Sequence, residues 1–508
     1  MGKNSLASRT TRGAAWLYGQ RILINIIQLG AVAILSRQLD PADFGVVALA
    51  SVIMRFGVAI GSATISNYII YDRKSGWGER AQAAFWLNLL LMSGITVIFI
   101  LITPLITRFY QEPLLEPLLI ILLITFLLSQ FSSVPNALIR RNFDYQKLVT
   151  RNGSLQILSA SISVGMALNG WGVWSLVIPG LLVAIPRFFI SMWMARWKPS
   201  LPFRTQYWGE IFSYTKHIIG QTGLGVLNSD GDTLVIGKLV GSAGLGIYDR
   251  AWRTSNLIVK NIVWVVSNVA MPAFSSLSTR PEALQRAYQR MLRILAVVSF
   301  PLTIGMFVMA EEFIMVLYGP KWVAAVLPLR IFLIYALQRS IGSPVGVIFN
   351  SSGRPDLGLK INLVVLPFYF GSIFIGNIFG LNGIAAAVTT VKTVSGFVAI
   401  YIACRLIGLS YNKVLKSLWP PLQAALIVGL TAFIIKLALY KYLNLSPILT
   451  LIICTVLGGL VYILLLLTRY TDQLDDILLV LDSFSFRLSH FVRSILHRQV
   501  KVMSSEGI

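Results

Sequence analysis

The chain has 508 residues, 56% of them hydrophobic and only 12% charged, with a mean hydropathy of +0.74. A water-soluble domain carries about 25% charged residues, so this composition excludes a string of globular domains with ordinary solvated surfaces. The formal net charge of +23 has the sign of a nucleic-acid binder, but Lys and Arg stand in short clusters between long apolar runs. No basic stripe forms, and no nucleic-acid partner is expected.

Read in chain order, the N-terminus MGKNSLASRTTRGAAWLYGQRILINIIQLGAVAIL starts basic, like a signal peptide. It lacks a small-residue cleavage pattern and its long apolar stretch carries Arg21, so it reads as a retained first transmembrane helix. Windows of about 19 residues, with about 20 needed per crossing, place a first set of spans at 14–36, 44–70, 82–104, 116–138, 153–170 and 173–195. A second set falls at 212–237, 246–274, 292–314, 324–349, 358–379 and 382–404, and two more at 419–440 and 447–468. From residue 471 the tail repeats Leu474, Ile477, Leu478, Leu481, Leu488, Phe491, Val492 and Ile495 at helical spacing. Asp475, Asp476 and Asp482 make a further crossing costly, so an amphipathic helix on the inner leaflet is expected there.

Loop charge sets the orientation. Alternate loops and both termini carry most of the 43 Lys and Arg, while the opposite loops hold only Arg37, Arg108, Lys238, Arg250, Lys321 and Lys441. The asymmetry predicts cytoplasmic termini, in agreement with an even number of spans.

A repeat underlies the two sets. ILSRQLDPADFGVVALA from Ile34 is echoed 201 residues on by VIGKLVGSAGLGIYDRA from Val235, so that Arg37 meets Lys238 and Gly45 meets Gly246. GWGVWSLV from Gly170 pairs similarly with LNGIAAAV from Leu381. Six spans separate the copies, an even number, so the repeat is parallel and its axis runs along the membrane normal, as in transporters. The expected architecture is all-α and integral to the membrane, with about fourteen transmembrane helices. It comprises two six-helix lobes (1–205 and 206–410) related by pseudo-two-fold symmetry, two further helices in 411–470 and a cytoplasmic tail, 471–508.

Charges within the spans are costly and by default mark a functional site. They are Arg21, Arg55, Arg253, Lys260, Arg339 and Lys392, with Arg187, Arg330 and Lys436 nearer helix ends, where they can snorkel. Snorkelling or bonding to carbonyls is the alternative for every member of the set. Basic residues in equivalent helices of both halves suit an anion, above all a phosphate or diphosphate held by Arg forks. Asp230 and Asp232 in NSDGDTLVIG are the clear intramembrane carboxylates, for ion pairing with a cavity arginine or for coupling to a proton or sodium. Their spacing resembles the metal-binding DxD of glycosyltransferases, but no soluble sugar-nucleotide domain accompanies it. Cys404 and Cys454 lie far apart in apolar sequence, and His217, His490 and His497 form no ligand-spaced set. With no Walker loop and no nucleophile–base arrangement, neither catalytic residues, a metal nor a cofactor is expected.

Eight motifs in order carry a family resemblance: SRQLDPADFGVVALA from Ser36, FWLNLLL from Phe85, NALIRRNFDYQKL from Asn136, GWGVWSLV from Gly170, DTLVIGKLVGSAGLGIYDRA from Asp232, MPAFSSL from Met271, YGPKWVAAV from Tyr318 and NSSGRPDLGLK from Asn350. Over about residues 14–405 the chain resembles Wzx-type and colanic-acid-exporter-like polysaccharide flippases of the multidrug/oligosaccharidyl-lipid/polysaccharide superfamily. The resemblance implies two lobes around a basic central cavity, working by alternating access in the bacterial inner membrane. It implies an undecaprenyl-diphosphate-linked oligosaccharide as cargo for exopolysaccharide, capsule or O-antigen synthesis. Membrane lipids and a polysaccharide polymerase with its assembly proteins are the implied partners. Lipid-flippase relatives carry arginines in the first, second and eighth helices, which Arg21, Arg55 and Arg253 match by helix. SRQLDPADFG and YGPKW read as fold-setting loops. Alternatives are an ion-coupled multidrug antiporter of the same superfamily, which should carry cavity acids, and a glycosyltransferase or scaffold component of polysaccharide assembly.

Overall fold

The computed structural model describes residues 20, 23–71, 77–142, 144–201, 203–277 and 280–470. Arg21 and the tail from residue 471, with the amphipathic helix expected there, lie outside the described residues. All regular elements among the described residues are helical, which satisfies every backbone N–H and C=O within its own segment where no water can.

In chain order the first helices are α1 (Leu23–Gln38), α2 (Pro41–Tyr71), α3 (Trp77–Tyr110), α4 (Leu115–Gln130), α5 (Ser133–Arg141), α6 (Tyr145–Leu168) and α7 (Trp174–Ala195). Then come α8 (Trp208–Leu277), α9 (Pro281–Val308), α10 (Ala310–Leu317), α11 (Val326–Gly342) and α12 (Val345–Ser351). The last are α13 (Asp356–Asn377), α14 (Gly380–Leu406), α15 (Tyr411–Ala438) and α16 (Pro447–Thr468). Among the described residues, eight helices are long and apolar enough to cross a membrane, nine if the bent pair α4–α5 is one span. Of the helices over the other expected spans, α6 is diluted by Ser and Gly, and α8 by Asp230, Asp232, Arg253 and Lys260.

Two local departures from the expected spans have physical causes. Span 116–138 is two helices bent by 41°. Pro135 has no N–H to give, and in a straight helix its ring would strike the carbonyl four residues back. Buried Asn88 of α3 braces the bend, donating to Gln130 Oε1 (3.3 Å) and Ser133 Oγ (3.0 Å). In the second set Pro344 likewise stands at the break between α11 and α12. Helix α8 covers both 212–237 and 246–274 and breaks at Gly241, whose φ of 70° and ψ of −179° favour glycine.

The chain divides into two compact units, Met1–Asp249 with Leu317–Trp322, and Arg250–Val316 with Val323–Ile508. In the first, Phe85 lies edge-on to Trp86, Phe131 and Trp197, in a core shared by α2, α3 and α5. In the second, Tyr288, Leu292 and Leu295 of α9 pack with Ile348 of α12, Ala403 of α14 and Ala425 of α15.

Within the first unit the two echoed hairpins meet. A Cβ on Gly45 would run into the Ser242 carbonyl, and one on Gly246 into the Pro41 carbonyl. The repeat offset carries Pro41 to Ser242 and Gly45 to Gly246, so the contact is reciprocal, as across a two-fold axis. Small residues let backbones approach this closely where lipid supplies no hydrophobic drive between helices. The caps are exchanged in the same sense. Tyr110 Oη at the end of α3 donates to the Leu234 carbonyl (3.1 Å), and Lys238 donates to the Phe109 carbonyl. Conversely Trp322 Nε1 donates to the Ser36 carbonyl (2.8 Å), and Lys321 pairs with Asp40 (2.7 Å). Buried Trp322 lies edge-on to Phe44. Asp43 Oδ2 accepts from the Asp40 amide (3.0 Å) beside Pro41 at the first position of α2, one half of a capping box.

Gly45→Ala and Gly246→Ala are each expected to lower the thermal midpoint of the purified protein or abolish its accumulation. Gly94→Ala, whose Cβ would meet nothing within 4 Å, should be neutral in the same melting experiment.

Candidate functional site

The helical period decides which cations share a face. On the second arm of α8, Arg253, Asn256 and Lys260 fall three and four residues apart, along one stripe. Trp252 stands one turn before Asn256, whose Nδ2 donates to the Trp252 carbonyl (2.8 Å). On α11, Tyr335 and Arg339 are also one turn apart. The Trp252 and Tyr335 rings stack, with centroids 5.7 Å apart and planes inclined by 8°. Lys392 of α14 lies over the outer side of this stack, its Nζ 4.7 Å from the Trp252 ring centre and 4.4 Å from that of Tyr369 on α13. Arg339 lies 5.9 Å from the Tyr335 ring centre and donates to Asn256 Oδ1. Among the described residues the partners of Arg339 are therefore neutral.

The result is a basic–aromatic patch wholly within the second unit. Arg253, Lys260 and Arg339 are exposed, and Lys392, Trp252 and Tyr335 are half-buried. Cation–π contacts hold Lys392 and Arg339 with about 0.5–2 kcal/mol each, and such a contact leaves the positive field of the cation in place. Such a surface can take an anion.

The remaining predicted residues lie in the first unit, where the arrangement differs. Arg55 of α2 pairs with Asp230 of α8 at 3.0 Å, both partly exposed, while the Arg55 Nε is buried without a partner. Ser229 Oγ donates to the other Asp230 oxygen (2.8 Å). Asp232 is buried and has no cationic partner among the described residues. Its Oδ1 accepts from the Thr233 amide (2.9 Å) and its Oδ2 from Tyr248 Oη (3.2 Å), which lies beyond the Gly241 break. Asp232 thus fastens the two arms of α8 to each other. Arg21 lies outside the described residues.

Sequence reasoning missed the rings. Trp252, Tyr335 and Tyr369 read as ordinary apolar positions, although the one-turn spacing of Tyr335 and Arg339 was a usable signal. It also missed a carboxylate. Glu312 of α10 is fully buried and pairs with Lys436 of α15 at 2.7 Å, and Tyr440 Oη donates to the same oxygen (2.9 Å). Lys436 therefore turns inward to a partner instead of snorkelling, and Asp230 and Asp232 are not the sole acids inside the fold.

Comparison with known proteins places the chain. The profile of the family described as "Polysaccharide biosynthesis protein" matches residues 34–327. The chain is 23% identical over 427 residues to the lipopolysaccharide biosynthesis protein WzxC of Escherichia coli (strain K12), covering 83% of this chain and 86% of that one. It is 24% identical over 491 residues to the teichuronic acid biosynthesis protein TuaB of Bacillus subtilis (strain 168), covering 93% and 98%. Among solved structures, the inward closed conformation of the lipid II flippase MurJ superposes with a TM-score of 0.72 at 14% identity, covering 90% of this chain and 99% of that one. An inward-facing multidrug resistance transporter of the MATE family superposes with a TM-score of 0.57 at 16% identity, covering 76% and 94%. These two share its fold.

Removing one partner of a buried ion pair leaves the other charge without compensation, at a cost of about 3–5 kcal/mol. Lys436→Met should therefore lower the melting temperature sharply, and Glu312→Gln added to it should recover most of the loss. Equal melting of the single and double variants would show that the pair is not buried as described.

Proposed function

The chain belongs to the polysaccharide biosynthesis protein family, and on that premise we propose that it moves a lipid-diphosphate-linked oligosaccharide across the bacterial inner membrane. The observation that carries the reading is the patch of Arg253, Lys260, Arg339 and Lys392 around the Trp252–Tyr335 stack. A diphosphate is the part of such a cargo that hydrocarbon rejects. The Arg339 guanidinium, held by Asn256 and the Tyr335 ring, can replace its hydration without first breaking an ion pair, with Lys392 close by over the Trp252 and Tyr369 rings. Stacked rings beside them suit the first sugars.

Undecaprenyl diphosphate is the proposed carrier, and a polysaccharide polymerase with its assembly proteins would receive the product. Both termini are proposed to face the cytoplasm, on the side of the basic loops. Alternating access is the proposed cycle, with 1–205 and 206–410 as the repeated lobes and 411–470 as two added helices. Arg55, tied to Asp230, would bind cargo only if that pair opens. Asp232, buried without a cation, is the proposed coupling group. The role is transport rather than chemistry.

The test is polymer export in a strain lacking the native copy. Trp252→Ala, Arg339→Ala and Lys392→Ala should each lower export by about tenfold, the worth of one charge-assisted hydrogen bond, at normal protein abundance. Arg354→Ala, on the loop before α13, should export normally. Wild-type export from an Arg339→Ala/Lys392→Ala double variant would remove the patch from the mechanism. Asp232→Asn should depress export and blunt its response to collapse of the proton or sodium gradient; indifference to both would exclude Asp232 from coupling.

A further inference from the structure

A second cationic site lies in the first unit, away from the residues assigned above. Antiparallel helices α6 and α7 leave a cleft of about 570 Å³ where the first turns of α6 face the last turns of α7. Lys147, Thr150, Arg151 and Ser154 line one wall, and Ile190 and Trp193 the other. Arg140 and Arg141 end α5 nearby and Arg196 and Lys198 follow α7, which puts the cleft at the end proposed to face the cytoplasm.

Arg151 is buried, with 7% of its surface exposed, and its guanidinium is fixed in place. One terminal nitrogen donates to Asn136 Oδ1 (2.8 Å) and Ser191 Oγ (2.6 Å), and Nε and the other nitrogen donate to Asn152 Oδ1 (3.3 and 2.7 Å). All these partners are neutral. Arg187, one turn before Ser191 on α7, is close enough to repel Arg151, as is Arg140. The Arg187 Nε is buried without a hydrogen-bond partner, and no carboxylate pairs with Arg187 among the described residues. The one acid in the lining, Asp144, is taken by Lys147 at 2.7 Å. A protein pays in stability to hold two guanidiniums together without a counter-charge, and an anion removes that cost.

What lies beside the cleft identifies the anion. Trp193 is 79% exposed at its rim, and Phe189, Ile185 and Leu182 continue an exposed apolar stripe along the same face of α7, with Leu158 exposed on α6. A free phosphate has no use for that stripe; a phosphate with acyl chains does. Exposed Trp at a helix end is the side chain of a membrane interface, and basic clefts between membrane helices on the cytoplasmic side suit anionic headgroups.

We propose that the α6–α7 cleft binds an anionic phospholipid of the surrounding leaflet, its headgroup phosphate at Arg151 in the lining and in the field of Arg187 behind it, and an acyl chain along Trp193, Phe189 and Ile185. The bound lipid neutralises the Arg pair and helps hold α7 against α5 and α6.

Full-length protein purified in detergent, supplemented with phosphatidylglycerol or phosphatidylcholine and measured by native mass spectrometry, tests this. The wild type should retain phosphatidylglycerol and not phosphatidylcholine, and its melting temperature should rise only with the former. Arg187→Gln should lower phosphatidylglycerol retention about tenfold, while Arg187→Lys should keep part of it. Arg151→Gln loses bonds to Asn136 and Ser191 and is expected to destabilise the protein, so Arg187 carries the decision. Equal retention of the two lipids, or wild-type retention by Arg187→Gln, overturns the proposal. Retention of a polyprenyl diphosphate in place of phosphatidylglycerol also overturns it, and would assign the cleft to cargo.

Discussion

Hydrocarbon offers no water to solvate a charge, so every cation within the fold has to be held by something the chain supplies. The chain supplies three kinds of holder. Carboxylates take Lys436 and Arg55, through Glu312 and Asp230. Amide and hydroxyl oxygens take Arg151. Aromatic faces take Lys392 and Arg339. The first kind cancels the charge, whereas Arg151 and Arg339, held by neutral partners, keep theirs. This difference separates a structural clamp such as Arg55–Asp230 from a surface such as the one around Arg339 that can still attract an anion.

Much of the helical scaffold is readable from apolar run length, because the bilayer dictates it. Helices cover the expected spans from α2 through α16. The exceptions came from backbone chemistry that a hydropathy window averages away, such as Pro135 bending 116–138 and Gly241 breaking α8. SRQLDPADFG and YGPKW were expected to set the fold, and the Trp322–Ser36 and Lys321–Asp40 bonds show how. The candidate site was less legible. Charges announce themselves in an apolar sequence, but their partners do not. Nothing in the sequence pairs Glu312 with Lys436 or lays Lys392 over Trp252, because those contacts join helices far apart in the chain.

The repeat has a physical use beyond its ancestry. Gly45 and Gly246 bring two equivalent helix starts into backbone contact, and each hairpin is bonded by a segment from elsewhere in the chain, the end of α3 at 109–110 for one and 321–322 for the other. A reciprocal contact of this kind is built from one geometry used twice. A single methyl on either side should disrupt it, while the charged patch around Trp252 stands on other residues entirely. The glycine contact and the proposed cargo surface thus rest on separable sets of side chains.

The most direct test of the central claim is movement of a fluorescent short-chain polyprenyl-diphosphate oligosaccharide between leaflets of proteoliposomes, followed by quenching from outside. The account predicts protein-dependent movement that is inhibited by inorganic diphosphate, with no movement of an otherwise identical glycolipid lacking the diphosphate. Equal movement of the two lipids would contradict it, because a basic–aromatic surface would then have no part in choosing the cargo.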